Sequence, residues 1–191
     1  MKVFGISGSP RKGGNTDILV GTALNILERE GFQTDFLSLA DRPIKPCVAC
    51  LGCAKAEGYQ CMQEDPAFEG VVARFIEADG ILVGSPVHFG SATPSTMAML
   101  DRVGFVARQK ENFLRRKVGA AITVARRAGA NFTFAQLNYF FLINEMIVPG
   151  STYWNIAIAR QKGEVTGDTE GLQTVTNLAK NMAWLLKKIG A

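Results

Sequence analysis

Cys47, Cys50, Cys53 and Cys61 are all the cysteines the chain has, and they stand in the spacing C-x2-C-x2-C-x7-C. Thiolates are soft ligands suited to iron and zinc. The close-set Cys47, Cys50 and Cys53 can converge from one tight loop, and Cys61 can fold back from the end of a short one. That suits a cubane [4Fe–4S] cluster, which takes a ligand at each iron corner. In two-cluster ferredoxins the fourth cysteine precedes a proline and serves the other cluster. Here Met62 follows Cys61 and there is no second set, so all four are expected to share one centre. Other readings stay open. A four-cysteine zinc site usually draws on two C-x-x-C pairs separated by a longer gap. Two disulfides would need an oxidising compartment. Four buried, inert thiols are the plainest alternative.

The second stretch is Gly8-Ser9-Pro10-Arg11-Lys12-Gly13-Gly14-Asn15-Thr16. It follows Val3–Ser7, a short apolar run that reads as a buried strand. It precedes a segment in which Leu19, Ala23, Ile26 and Leu27 recur at helical spacing, ending at Gly31. Strand, polar glycine-rich loop and helix bring free amides and a helix N-terminus to one point, which suits a phosphate. Ser7, Ser9, Asn15 and Thr16 add side-chain hydrogen bonds, and Arg11 or Lys12 adds charge. Asn15 or Thr16 is the expected helix cap. The loop lacks the Gly-Lys-Ser/Thr ending of a P-loop and is not G-x-G-x-x-G, so a monophosphate fits better than a dinucleotide. An ordinary polar turn is the competing reading.

The remaining elements must position these stretches. Thr34–Leu39 reads as a second strand, and the cysteine loop, at about 45–64, follows it. Asp65-Pro66 is an expected helix start, with the apolar face Phe68, Val71, Val72, Phe75 and Ile76 behind it. Gly80–Ser85 is a third strand, and its near-continuous apolar run suits a strand covered on both faces. The stiff loop Pro86–Pro94 comes next, then a helix from about Ser95 through Val106. Lys117–Val124 is a fourth strand, followed by a loop carrying Arg126, Arg127 and Gly129 and an aromatic-rich helix over 132–144. Met146–Val148 is expected as a short fifth strand, and 151–168 as an irregular segment, a candidate oligomerisation arm. A last helix carries Leu172, Val175, Leu178, Met182, Leu185 and Ile189.

Strands alternating with helices predict one α/β domain over 1–191, a doubly wound five-stranded parallel sheet in three layers. Ligands of such sheets bind beyond the carboxyl ends of the strands at the switch point, and in the flavodoxin-like order that ligand is FMN. The loops after the first, third and fourth strands should therefore meet around one ligand. Arg126 and Arg127 are candidates for stabilising a reduced flavin, or are solvated loop cations.

The bulk numbers agree with a single soluble domain. Of 191 residues 47% are apolar and 20% charged, enough for one core and too apolar for a disordered chain. The net charge of +4 comes without a long Lys/Arg run, so no nucleic-acid footprint is expected. No apolar run reaches membrane-span length. The N-terminal residues read as a strand rather than a targeting segment, and reduced cytoplasm is the expected location.

Gly8–Thr16, the compact cysteine set and Gly84-Ser85-Pro86-Val87-His88-Phe89-Gly90 together resemble the iron–sulfur flavoproteins, a branch of the NAD(P)H-dependent FMN reductases with the flavodoxin-like fold. The resemblance runs over nearly the whole chain. It implies the flavodoxin-like strand order 2-1-3-4-5, non-covalent FMN, one [4Fe–4S] cluster and a homotetramer built from dimers, with the flavin near a subunit interface. By match of motif, Ser9, Arg11, Lys12, Asn15 and Thr16 would hold the phosphate, with Ser7 and Pro10 beside them. Pro86, Val87, His88, Phe89 and Gly90, after Ser85, would line the isoalloxazine, and Arg126 would approach it. Cys47, Cys50, Cys53 and Cys61 would bind the cluster. The gap before Cys61 and the arginine content of 125–131 depart from the family's pattern. A flavin handles one or two electrons and a cubane cluster one at a time. The implied role is an electron-transfer flavoprotein, an oxidoreductase with ferredoxin as a plausible donor. A cluster-free NAD(P)H-dependent FMN or quinone reductase and a zinc-stabilised FMN-binding or redox-sensing module are the alternatives.

Overall fold

The computed structural model describes residues 1–190. Strands β1 (Lys2–Ser7), β2 (Gln33–Ser38), β3 (Gly80–Pro86), β4 (Val118–Ala125) and β5 (Ile156–Ile158) form one parallel sheet in the order β2-β1-β3-β4-β5. Helices α1 (Asn15–Arg29), α2 (Gly52–Lys55), α3 (Val71–Glu77), α4 (Pro94–Arg108), α5 (Ala130–Ile143) and α6 (Thr169–Ile189) cover it. This is the expected flavodoxin-like, doubly wound arrangement.

The central strands are buried on both sides, and their side chains divide by the two-residue period of a strand. Phe4, Ile6, Ile81 and Val83 pack with Phe75, Met99, Leu100 and Phe141 on the face of α3, α4 and α5. Val3, Leu82, Ala120 and Ile122 pack with Leu19, Leu27, Leu178 and Met182 on the face of α1 and α6. The cysteine loop belongs to the first face, where Cys53 is buried among α4-side residues. Among the described residues no helix is long and apolar enough to cross a membrane.

The structure corrects four local expectations. First, the fifth strand is Ile156–Ile158 rather than Met146–Val148. Ile147 does make a parallel bridge to Val118, donating to the Lys117 carbonyl and accepting from Gly119 at 2.9 Å each. Pro149 then interrupts, because it has no amide to continue a ladder. Pairing resumes at Thr123↔Ile156. Second, residues 151–168 are accordingly not irregular throughout, since they hold β5 and a 3-10 turn at Glu164–Gly167. Third, α3 begins at Val71, not at Asp65-Pro66. Asp65 accepts from Ala67 at 3.1 Å in a local turn, but its other oxygen is engaged elsewhere. Fourth, the residue at the N-terminal boundary of α1 is Gly14, and no side chain caps that helix.

Candidate functional site

Beyond the carboxyl ends of β1, β3 and β4 lies a cavity of about 250 Å³. Ser9, Pro10, Arg11, Asn15 and Thr16 form one wall, and Pro86, Val87, His88 and Arg126 form much of the rest. The three loops singled out in the sequence thus meet in space.

The first loop has features that could seat an anion. The uncapped first turn of α1 leaves amides facing outward, as a helix N-terminus does when an anion is to complete it. Gly13 takes φ 62°, a left-handed conformation that a side chain would strain. Asp17 ties the loop together from below: its carboxylate accepts from the Gly13 amide at 2.7 Å and from the Ser7 hydroxyl. Ser7 is wholly buried and outside the cavity wall, so it positions the loop instead of touching a ligand. Gly8 has no room for a side chain, since a Cβ would fall 1.8 Å from Thr96 Oγ1. Its amide donates to the Gly84 carbonyl and its carbonyl accepts from Thr93 Oγ1, both at 2.7 Å. The loop is thereby locked to β3 and the start of α4.

The other predicted positions separate. Ser85 lies behind the wall, where its hydroxyl accepts from the Thr93 amide at 3.1 Å. Lys12 points away from the cavity toward Asp41, 3.6 Å off, and both are largely exposed. His88 and Ser91 exchange backbone hydrogen bonds of 2.8 and 3.0 Å across a two-residue turn. Phe89 and Gly90 form that turn with φ 51° and 81°, and Phe89 is fully exposed. Neither lines the cavity.

Val124, Ala159 and Arg160 line the cavity without having been foreseen. Arg160 follows β5, the strand that the sequence placed elsewhere. Asn15 explains how it is delivered. Its side-chain oxygen accepts from the amides of Gly163 (2.8 Å) and Val165 (3.4 Å), and its nitrogen donates to the Gln161 carbonyl at 2.8 Å. Asn15 therefore clasps the 160–165 turn to the start of α1. Arg11, Arg126 and Arg160 stand around one cleft and make it electropositive. Replacing Asn15 with alanine is expected to cost about 1–3 kcal/mol in thermal unfolding, from amides left without acceptors. The same variant should weaken flavin binding in a fluorescence titration by releasing Arg160. Unchanged melting and unchanged affinity would refute this clasp.

The cysteines gather on the α4 face. All four are free thiols, and all four line one narrow cleft of about 20 Å³ with Arg102 and Phe105 of α4. Ala49 (φ 51°) and Leu51 (φ 56°) take the left-handed conformation without being glycine. These residues curl the chain between successive cysteines, and the Ala49 amide points at Cys47 Sγ from 3.4 Å. Burial pushes the Cys53 thiol up, and the neighbouring Cys61 and Cys47 add to the shift. Among the described residues no three His, Cys, Asp or Glu side chains converge closely enough to hold a single metal ion. The sulfurs surround a cleft, and a cubane core is bound at separate corners, so its ligands stand wider apart than those of one ion. Four soft thiols with N–H groups turned toward sulfur are a donor set that suits such a core.

Nothing in the residue pattern pointed to Arg102, which fixes this loop. Its guanidinium is almost wholly buried and pairs with Asp65 at 2.5 Å. It also donates to the carbonyls of Gln63 (3.0 Å) and Lys45 (3.4 Å) and to Cys61 Sγ (3.4 Å). The ring of Phe68 lies 3.9 Å from its Cζ. Lys110 and the Glu111 carbonyl hold the middle of the loop through the Ala56 carbonyl and Tyr59 hydroxyl. An arginine at helical spacing within an otherwise amphipathic segment reads as a surface cation, so periodicity alone could not have found it.

Residues 1–161 match the family described as NADPH-dependent FMN reductase. An iron–sulfur flavoprotein of Methanocaldococcus jannaschii is 41% identical over 201 aligned residues, covering 99% of each chain. The present chain belongs to the iron–sulfur flavoprotein family. A second member, from Methanosarcina thermophila, is 35% identical over 99% of this chain and 97% of its own. Among solved structures, a flavodoxin from the domain Archaea superposes with a TM-score of 0.65 at 16% identity, over 98% of this chain and 99% of that one. That likeness speaks for the fold alone. This family membership agrees with the cysteine set and the two loop motifs from which the resemblance was drawn.

Proposed function

We propose that this iron–sulfur flavoprotein is an electron-transfer oxidoreductase that binds FMN in the 250 Å³ cleft and one [4Fe–4S] cluster on Cys47, Cys50, Cys53 and Cys61. The observation that carries the reading is a pair of separate, differently built sites on one domain. One is an electropositive cleft at the carboxyl edge of the sheet, and the other a cleft walled by every thiol in the chain. When bound, the two groups supply interconversion of two-electron and one-electron chemistry. The protein's part is to hold them. Ser9, Thr16 and the α1 amides would hold the phosphate, with charge from Arg11 and Arg160. Pro86, Val87 and His88 would face the isoalloxazine, with Arg126 near it. Arg102 and Arg11 belong to different clefts, so neither site draws on the other's ligands.

The deciding measurement is iron, zinc and acid-labile sulfide per FMN in protein purified without oxygen. About four irons and four sulfides per chain, the content of one cubane, is the expected result. Stoichiometric zinc without sulfide would overturn it. The family's description as NADPH-dependent favours a second reading, direct reduction by NAD(P)H. Rapid bleaching of the flavin by NAD(P)H alone would support that one.

A small acidic redox protein such as ferredoxin is the proposed donor, in a reducing cytoplasm, because the chain carries +4. Reduction by ferredoxin should slow as salt rises, and a salt-independent rate would count against electrostatic docking.

Self-association, with a dimer of dimers as the proposed form, is assigned to the outer face of α5. Phe132, Tyr139 and Ile143 recur there as one exposed stripe. Beside it, Leu142, Tyr153 and Trp154 line a cavity of about 490 Å³, with Phe134 packed against Trp154 at 6.1 Å between ring centres. So large an apolar surface on one side suits a second copy of the chain. Phe140 and Phe141, in contrast, belong to the core. Leu142→Glu should lower the oligomeric mass in sedimentation without changing melting of the protomer. An unchanged mass would remove α5 from the interface.

A further inference from the structure

We infer that Arg102 is the positioning residue that brings Cys61 to the other three cysteines and, through its N–H bond to the Cys61 sulfur, raises the reduction potential of the centre they hold. The inference rests on the reading of these cysteines as cluster ligands. Cys47, Cys50 and Cys53 are delivered by one short curl, but Cys61 lies beyond α2 and a connecting loop. Nothing in that spacing dictates where its sulfur falls. Arg102 supplies the missing constraint from outside the loop.

Its contacts bracket the loop. At the entry it donates to the Lys45 carbonyl, and at the exit to Cys61 Sγ and the Gln63 carbonyl. Asp65 closes the bracket, because one of its oxygens accepts from both Arg102 and the Lys45 amide, the latter at 2.9 Å. The side chain is 1% exposed and Phe68 covers it at 3.9 Å, so the fork is held in one orientation. A planar guanidinium can make these bonds together, whereas a lysine offers a point charge and cannot span them. Helix α4 is a rigid base for it. From Pro94, next to the Thr93 that donates to the Gly8 carbonyl, to Arg102 is about 12 Å along the helix axis.

The electronic effect has a definite sign. On reduction a cluster and its thiolates gain negative charge, and an N–H donor to a ligand sulfur stabilises that form. Loss of the donor should therefore make the cluster harder to reduce. Asp65 neutralises the guanidinium's net charge, so the effect is carried by the short-range hydrogen bond.

Two measurements test the two halves. In apo protein, hydrogen exchange of residues 45–65 is compared between wild type, Arg102→Lys and Arg102→Met. Exchange in either variant should speed up by about tenfold or more, the size expected for loss of one charge-assisted hydrogen bond. Amides of β1 and β3 should remain the slowest to exchange in each variant, which also reports that it has folded. Unchanged exchange over 45–65 in a folded variant overturns the positioning role. In anaerobically reconstituted protein, Arg102→Lys should either lose iron and sulfide while retaining FMN, or keep a cluster whose midpoint potential lies below that of wild type. A full cluster at the wild-type potential overturns the electronic role. If wild type itself takes up no iron and sulfide, the cluster reading and the electronic role fail together. The apo exchange result still decides whether Arg102 holds the loop.

Discussion

Replacing Asp65 with alanine is expected to destabilise the protein by about 3–5 kcal/mol, because it leaves a buried guanidinium without its counter-ion. The Asp65 and Arg102 side chains are 3% and 1% exposed, so solvent cannot take over the carboxylate's role. The loss would extend past the pair. Asp65 also accepts from the amides of Lys45 and Ala67, which would lose their acceptors. A domain has only about 5–15 kcal/mol of stability in total, so the melting temperature should fall visibly. Truncating both partners should cost less than the sum of the single changes, since Arg102→Met removes the orphaned charge. A double-mutant cycle that is simply additive would refute the pairing.

The same carboxylate gives stability a pH dependence. Burial alone would raise its pKa, but bonds from the Lys45 amide and Arg102, then the Ala67 amide and the guanidinium charge, outweigh it and hold it below the ordinary aspartate value. A depressed folded-state pKa stabilises fully above the unfolded value of about 3.9. The contribution is then lost as pH falls through the folded pKa. Wild-type apo protein should therefore lose stability in that acid range, and Asp65→Asn should show a shallower loss. Equal slopes would mean that other carboxylates dominate.

What could be read from the sequence depended on whether a signal was local. The parallel, doubly wound sheet follows from the alternation of strands and helices, and the polar rim of the cleft from consecutive residues Gly8–Thr16. Both are set by short-range chemistry. Arg160 and Arg102 were invisible for the opposite reason. Each works through a partner far away in the chain, Asn15 with the 160–165 turn in one case and Asp65 in the other. Met146–Val148 misled because it is β-prone and does bridge β4 once, but Pro149 stops the ladder before a strand can form. Lys12 matched the motif yet turns toward Asp41, since a loop cation on the outer side of a turn can follow the nearest exposed carboxylate. Asn15, a candidate cap of α1, does not cap it: it stands at the cleft rim, where its side chain fastens a second loop.

The separation of the two clefts leads to a second large effect. Cys53→Ser in protein handled without oxygen should remove nearly all iron and sulfide while leaving FMN content unchanged. Serine offers a hard, weakly acidic hydroxyl where a soft thiolate is needed. Cys53 is the most buried of the four thiols, so exogenous thiol or water cannot readily replace it. The flavin should stay, because no residue lines both the cysteine cleft and the 250 Å³ cleft. Two assays on this variant then separate the functional readings. If the cysteines carry electrons to the flavin, reduction by ferredoxin should be lost while chemical reduction by dithionite remains. If the protein works as a plain reductase, NAD(P)H should bleach the flavin of Cys53→Ser as fast as that of wild type, and ferredoxin should matter to neither. Loss of FMN together with iron would contradict both, since it would mean that the cysteine loop supports the flavin cleft through the fold rather than standing beside it.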